Sequence, residues 1–127
     1  MSKEILNTTN APAPIGPYNQ AVKANGFLFI SGQIAIHPET NELVIDDIVD
    51  ETHRVMQNLK AILTNAGMDF SNVVKTTIFL SDMSLFVQIN EIYARYFTGD
   101  FPARETVAVR TLPRNVNVEI SAIAATA

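Results

Sequence analysis

Two side chains in the stretch Phe101–Ala124, FPARETVAVRTLPRNVNVEISAIA, have types suited to working together. Arg104 is a planar fork able to grip both oxygens of a carboxylate, and Glu119 is a carboxylate able to take up and return a proton. Between them, Leu112-Pro113-Arg114-Asn115 reads as a turn. Pro presets φ at its second position, and Asn tolerates a left-handed backbone at its fourth. The segment is therefore predicted to be a β-hairpin. Alternation sets Val107 and Val109 on one face of the first arm, against Arg104, Thr106, Ala108 and Arg110. In the second arm Val118 and Ile120 alternate with Asn117, Glu119 and Ser121. With Thr111 facing Val116, Glu119 falls opposite Ala108 and Ser121 opposite Thr106. Arg104 and Glu119 then share the polar face, about 13 Å apart, and could flank a small ligand. In this register Arg110 is the nearer diagonal partner of Glu119. The competing reading is a solvated face carrying a loose ion pair worth about 0–1 kcal/mol.

The elements that must position these residues follow from the rest of the chain. Its 127 residues predict one domain, residues 1–127, with 47% hydrophobic and 17% charged residues as in a soluble globular protein. Met1–Thr8, through Ile5 and Leu6, hints at a short edge strand. Asn10–Pro17, NAPAPIGP, is too rich in proline for a ladder and reads as an irregular loop. Tyr18, directly after it, is either a packing anchor or a hydroxyl aimed at a site, and packing is the expectation. Ala21–Ser31 reads as strand, Asn25-Gly26 turn, strand. Gly32 at the end of that strand marks either a place where another group, such as a ligand, approaches the backbone closely or a bulge that serves only sheet curvature. HPETN, residues 37–41, is a loop. Asp47 caps a helix with a stripe through Ile48, Val55, Leu59, Ile62, Leu63 and Ala66, closed by Gly67; His53 is expected on its exposed side. VVKTTIFL, residues 73–80, reads as a central strand. Asp82 caps a second helix whose apolar face runs through Phe86, Ile89, Tyr93, Tyr96 and Phe97, with Asn90 beside it, ending at Thr98-Gly99-Asp100. The order ββ(β)–α–β–α–β–β predicts an α+β domain with both helices on one face of a mixed sheet. The other sheet face has nothing in the chain to cover it, which predicts packing of subunits sheet to sheet.

Composition removes whole classes of chemistry. Without cysteine there is no disulfide, thiolate metal site or Cys nucleophile, and His37 and His53 have no partners at ligand spacing, so no metal is expected. Net charge is −4, which disfavours nucleic acid and anionic lipid as partners. The first residues, MSKEILNTTN, lack the apolar core of a signal peptide, and no run approaches a membrane span; a cytoplasmic location is expected.

The segments IGPYNQAV, FISGQIAI, VVKTTIFLSDM, FPAR and VEISAIA, in this order, resemble the RidA family, also called YjgF, across nearly the whole chain. The resemblance implies a chorismate-mutase-like fold and a homotrimer with sites between subunits. It also implies hydrolysis of reactive enamines and imines, such as 2-aminoacrylate, 2-iminopropanoate and 2-iminobutanoate, to 2-oxo acids and ammonia, without a cofactor. By the same resemblance Arg104 binds the substrate carboxylate and Glu119 serves the attacking water. Tyr18 and Asn90 are site residues, and Ser31 and Gly32 form a pocket wall whose backbone N–H meets the carboxylate. Two positions depart from the pattern. Thr106 stands where many relatives carry Cys, so no thiol can be essential here. Arg110 stands where relatives more often carry a small or apolar residue, and a cation there is expected to lower the pKa of Glu119.

Three functions remain to be separated. A deaminase uses Arg104 and Glu119; a non-catalytic metabolite-binding or regulatory protein uses Arg104 and has no need of an acid beside a bound anion. A ribonuclease activity, reported for some relatives, is disfavoured by the negative charge and the absence of a basic stripe interleaved with aromatics.

Overall fold

The structure is a computed structural model and describes residues 2–127. Six strands form one sheet: β1 (Glu4–Leu6), β2 (Ala21–Ala24), β3 (Phe27–Gln33), β4 (Val73–Leu80), β5 (Ala103–Ala108) and β6 (Val118–Ala125). Two helices, α1 (Ile48–Asn65) and α2 (Phe86–Ala94), follow β3 and β4. The strand order is β1-β2-β3-β6-β4-β5, antiparallel throughout except for the parallel pair β4–β5. The chain is therefore an α+β fold on a mixed sheet, as its element order predicts.

That strand order overturns the hairpin. The turn itself is present: Asn115 N–H bonds Leu112 C=O at 2.9 Å, and both Arg114 and Asn115 take positive φ, 56° and 57°. It does not fold β6 back on β5. β4 lies between them, pairing Thr76 with Arg104 on one side and with Ala122 on the other. The reason lies in β4. VVKTTIFL is β-prone along its whole length, and placing it inside the sheet satisfies both of its edges. β5 can then run parallel to it only because α2 supplies the crossover. Val109, expected on the first arm, lies past β5 and packs on a small second cluster of Ile34, Ile36, Leu112 and Val116.

Local signals act as expected. Asn25 and Gly26 take φ of 54° and 81° and close the β2–β3 hairpin. Asp47 accepts from Val49 N–H at 2.6 Å and Asp50 N–H at 3.2 Å, and Gly67 at φ 73° ends α1. Val55, Met56, Leu59, Ile62 and Leu63 are buried against Leu28, Ile30, Ile78, Leu80, Val118 and Ile120 on one face of the sheet. Asp82 caps a short 3-10 turn, Met83–Leu85, that runs directly into α2. α2 stops at Ala94, earlier than the apolar pattern implies. Tyr96 and Phe97 lie beyond it and pack with Phe70 at ring distances of 5.5 and 5.4 Å. His53 is not exposed; it is half-buried, its Nδ1 2.7 Å from the Tyr96 hydroxyl.

The opposite face carries no helix. Ile5, Val22, Phe29 and Ile123 lie in one cross-strand row on it, with Phe27 beside the row and Val107 further off on edge strand β5, and Phe29 is 46% exposed. Among the described residues no helix is long and apolar enough to cross a membrane.

Candidate functional site

The residues singled out by sequence fall into two groups on opposite faces of the sheet. Arg104 projects from edge strand β5 toward α2. Its Nη1 donates to Asn90 Oδ1 at 2.7 Å, and its guanidinium carbon lies 5.5 and 5.2 Å from the ring centroids of Phe86 and Tyr93. Two aromatic faces hold the planar cation in one orientation, each contact worth about 0.5–2 kcal/mol depending on desolvation. One fork nitrogen is thus tied down and the cation is otherwise directed outward, where it is exposed. Thr106 follows two residues on, on the same face. Its Oγ1 is a buried side-chain oxygen with no hydrogen-bond partner among the described residues. Burial raises the pKa of the Tyr93 phenol, opposed in part by its bond with Thr76 and by Arg104.

Glu119 lies on the other face, since its strand neighbours Val118 and Ile120 are buried beneath α1 and α2. Arg104 and Glu119 therefore do not share a face, as the hairpin register required. The β6 register places Glu119 beside Phe79, and Phe79 beside Val107, so β4 intervenes and Arg110 is no neighbour of Glu119. The effect expected of Arg110 is correspondingly absent: burial pushes the Glu119 carboxyl up.

What Glu119 does meet is Gly32. β3 shifts register against β6 between Ile30 and Gln33, and the Glu119 side chain packs onto the backbone at that bulge. A Cβ at position 32 would stand 2.6 Å from Glu119 Oε2 and 2.9 Å from its Cδ. The glycine sits at a bulge, and the group that approaches its backbone is the chain's own Glu119 carboxylate.

Tyr18 is 48% exposed and is no core anchor. With Ile15, Gly32, Ile34, Pro113 and Glu119 it lines a small pocket of about 80 Å³. Ser31 supports this arrangement from behind. Its hydroxyl donates to Asn19 C=O at 2.7 Å and its N–H to Gln20 C=O at 2.9 Å. The Ser31 N–H is thus already spent, so of the Ser31–Gly32 backbone only the Gly32 amide can take the expected part.

Two buried polar residues escaped the sequence reading. Gln20 pins the proline-rich loop: its Nε2 donates to Thr8, Ala11 and Pro12 carbonyls, and its Oε1 accepts from Thr8 N–H at 2.7 Å. Glu51, fully buried on α1, accepts from Asn117 N–H at 2.7 Å, Asn117 Nδ2 at 2.8 Å and Val118 N–H at 3.3 Å. It thereby fixes the start of the strand that carries Glu119. The signal for both was a polar residue inside an apolar pattern, but its partners lie far along the chain.

Comparison with known proteins identifies the family. The family model described as Endoribonuclease L-PSP matches residues 8–126. The chain is 53% identical over 122 residues to a RutC family protein of Pyrococcus horikoshii, covering 96% of this chain and 97% of that one. It is 48% identical over 122 residues to a mouse protein named 2-iminobutanoate/2-iminopropanoate deaminase, covering 96% and 90%. Among solved structures, the Rid family protein YyfA of Yersinia pestis matches with a TM-score of 0.96 at 48% identity, over 98% of this chain and 100% of that one. Escherichia coli TdcF with bound serine matches with a TM-score of 0.93 at 38% identity, over 98% and 99%. A family model spanning nearly all of the sequence, and the same fold at high identity, place the chain in the RidA (YjgF) family.

Proposed function

We propose that the protein hydrolyses short-lived 2-imino acids and their enamine tautomers, 2-aminoacrylate, 2-iminopropanoate and 2-iminobutanoate, to 2-oxo acids and ammonia. The observation that carries this reading is Glu119, a half-buried carboxylate seated on a glycine and made more basic by its burial. Such a group takes a proton from water and hands it to a leaving amine at a pH closer to neutral than a surface glutamate does. A receptor for carboxylates alone has no use for an acid beside the bound anion. The activity named for the mouse relative and the small amino acid held by TdcF support the same reading.

Arg104 and Glu119 reach one substrate when two subunits meet. We assign the site to the junctions of a homotrimer, with Arg104, Asn90 and Thr106 of one subunit facing Tyr18, Ser31, Gly32 and Glu119 of the next. The apolar, helix-free sheet face supports such an assembly, because a contiguous apolar face seldom stays exposed to water. Arg104 holds both carboxylate oxygens and fixes the plane of the adjoining C=N. Water adds to the iminium carbon as its proton passes to Glu119, giving a carbinolamine. That proton then moves to the amino nitrogen, the C–N bond breaks toward nitrogen, and the hydroxyl proton leaves with ammonia as C=O forms. From the iminium onward, water and Glu119 account for every proton moved; an enamine joins the sequence by first taking a proton from solvent at Cβ.

A coupled reaction tests this. Threonine dehydratase generates 2-iminobutanoate in the presence of semicarbazide, which traps the imine, with no added protein, with this protein, or with its Arg104→Ala variant. Suppressed trapping by the native protein alone is the expected result. Equal trapping in all three removes this imine as a substrate and leaves the metabolite-binding reading.

A further inference from the structure

Beside Arg104 the surface opens into a recess of about 390 Å³, lined by Asn90, Tyr93, Ala94, Phe101, Pro102 and Arg104 itself. A methyl or ethyl group occupies a small part of such a space, which lies within the range of pockets that hold whole ligands. Its chemistry is one-sided. Arg104 is the only charged side chain in the lining, and Asn90 is engaged with it through Oδ1. The Tyr93 hydroxyl is turned away into the core, 2.6 Å from Thr76 Oγ1, so Tyr93 offers the recess its ring. The Ala94 methyl, the Pro102 ring and the Phe101 ring complete an apolar wall. Phe101 packs on Phe97 at a tilt, with ring centroids 6.0 Å apart, yet remains 60% exposed. An occupant that suits these walls carries one carboxylate at the guanidinium and a hydrocarbon body reaching toward Phe101.

We propose, resting on the deaminase reading, that this recess receives the substrate side chain and selects 2-imino acids with branched or aromatic side chains over those with a methyl or ethyl group. An ethyl group leaves Phe101 and Pro102 wet, whereas an isobutyl or benzyl group covers them. Each buried methylene is worth about three- to fourfold, so lengthening ethyl to isobutyl is expected to raise kcat/KM about tenfold.

The experiment generates imino acids in place from alanine, 2-aminobutyrate, leucine and phenylalanine with an L-amino-acid oxidase, again with semicarbazide as the trap. It is paired with calorimetric binding of 2-oxobutanoate and 4-methyl-2-oxopentanoate, which needs no catalysis. The native protein is expected to favour the leucine-derived imine over the 2-aminobutyrate-derived one about tenfold, and the longer oxo acid in the same sense. Ala94→Phe, which fills the recess, is expected to bring both ratios close to one. Phe101→Ala, at an exposed position that spares the helix, is expected to reduce them. Native ratios near one or reversed, or variants that depress all substrates equally, overturn the proposal. If no imine is consumed faster than without protein, the deaminase reading fails by itself, and the oxo-acid affinities still decide what the recess accepts.

Discussion

Glu119 lies closer to the backbone of residue 32 than any side chain there would permit. Gly32→Ala must therefore move the carboxylate, and the direction of movement is toward water. The expected result is a fall in kcat, with the acidic limb of the pH–rate profile shifting down toward the ordinary carboxylate range, because burial is what raises the Glu119 pKa. A pH–rate profile of the two proteins measures this. Stability carries the same sign. A carboxyl whose folded pKa is raised favours the fold in its protonated form, and that contribution is lost as pH rises through the folded value. Glu119→Gln is thus expected to melt higher than the native protein near neutral pH, with the gap closing by about pH 4, where both side chains are uncharged. Thermal melts across that range check it. At Arg104 the fork and the ring stacking matter together. Arg104→Lys keeps the charge but loses both, and a drop of about tenfold or more in kcat/KM is expected in the trapping assay, with Arg104→Ala lower still.

Among the elements, what was readable in advance was local. Asp47 capping α1, Asn25-Gly26 turning β2 into β3, and the in–out alternation of Val118, Glu119 and Ile120 each depend on a few neighbouring residues. The pairing of strands does not. Nothing between Phe101 and Ala124 tells that β4, from far upstream, lies between the two arms, because adjacency in a sheet is decided by the whole set of strands competing for partners. Residue type and resemblance singled out Arg104 and Glu119 as candidates, while their placement on opposite faces was not legible. His53 and Glu51 show the same limit for helices: His53 was expected in water and Glu51 went unread, because the Tyr96 hydroxyl and the Asn117 amide that meet them are set by tertiary packing. Glu51 is a strong test of such packing. Truncation to Ala leaves two backbone N–H groups and an amide near β6 without their acceptor, at a cost of about 2–4 kcal/mol. Urea unfolding is expected to show that loss for Glu51→Ala and to recover much of it for Glu51→Gln, which keeps one acceptor and the shape.

At the scale of the whole molecule, a sheet with helices on one face and an apolar row of Ile5, Val22, Phe29 and Ile123 on the other is half covered. Phe29→Glu is expected to shift the protein toward monomer in light scattering and to abolish imine hydrolysis with it. The proposed division of Arg104 and Glu119 between two subunits leads to a sharper prediction. Arg104→Ala and Glu119→Gln are each expected to be inactive alone, yet chains co-refolded in equal amounts regain about a quarter of native activity, since a junction in a closed ring is intact when an Arg104-bearing chain meets a Glu119-bearing one in the right order. Failure to complement would place both residues in one subunit's site.

The position of β6 has a consequence for how the chain is made. It follows every other strand in the sequence, yet it sits between β3 and β4 and, among the described residues, joins the first three strands to the last two within the sheet. A ribosome that has not passed residue 118 holds two unconnected fragments of a sheet, each with a bare inner edge inviting the wrong neighbour. The strand that joins them also bears Glu119, and Gly32 meets that carboxylate only once the strand is home. The act that completes the sheet is therefore the one that seats the Glu119 carboxylate.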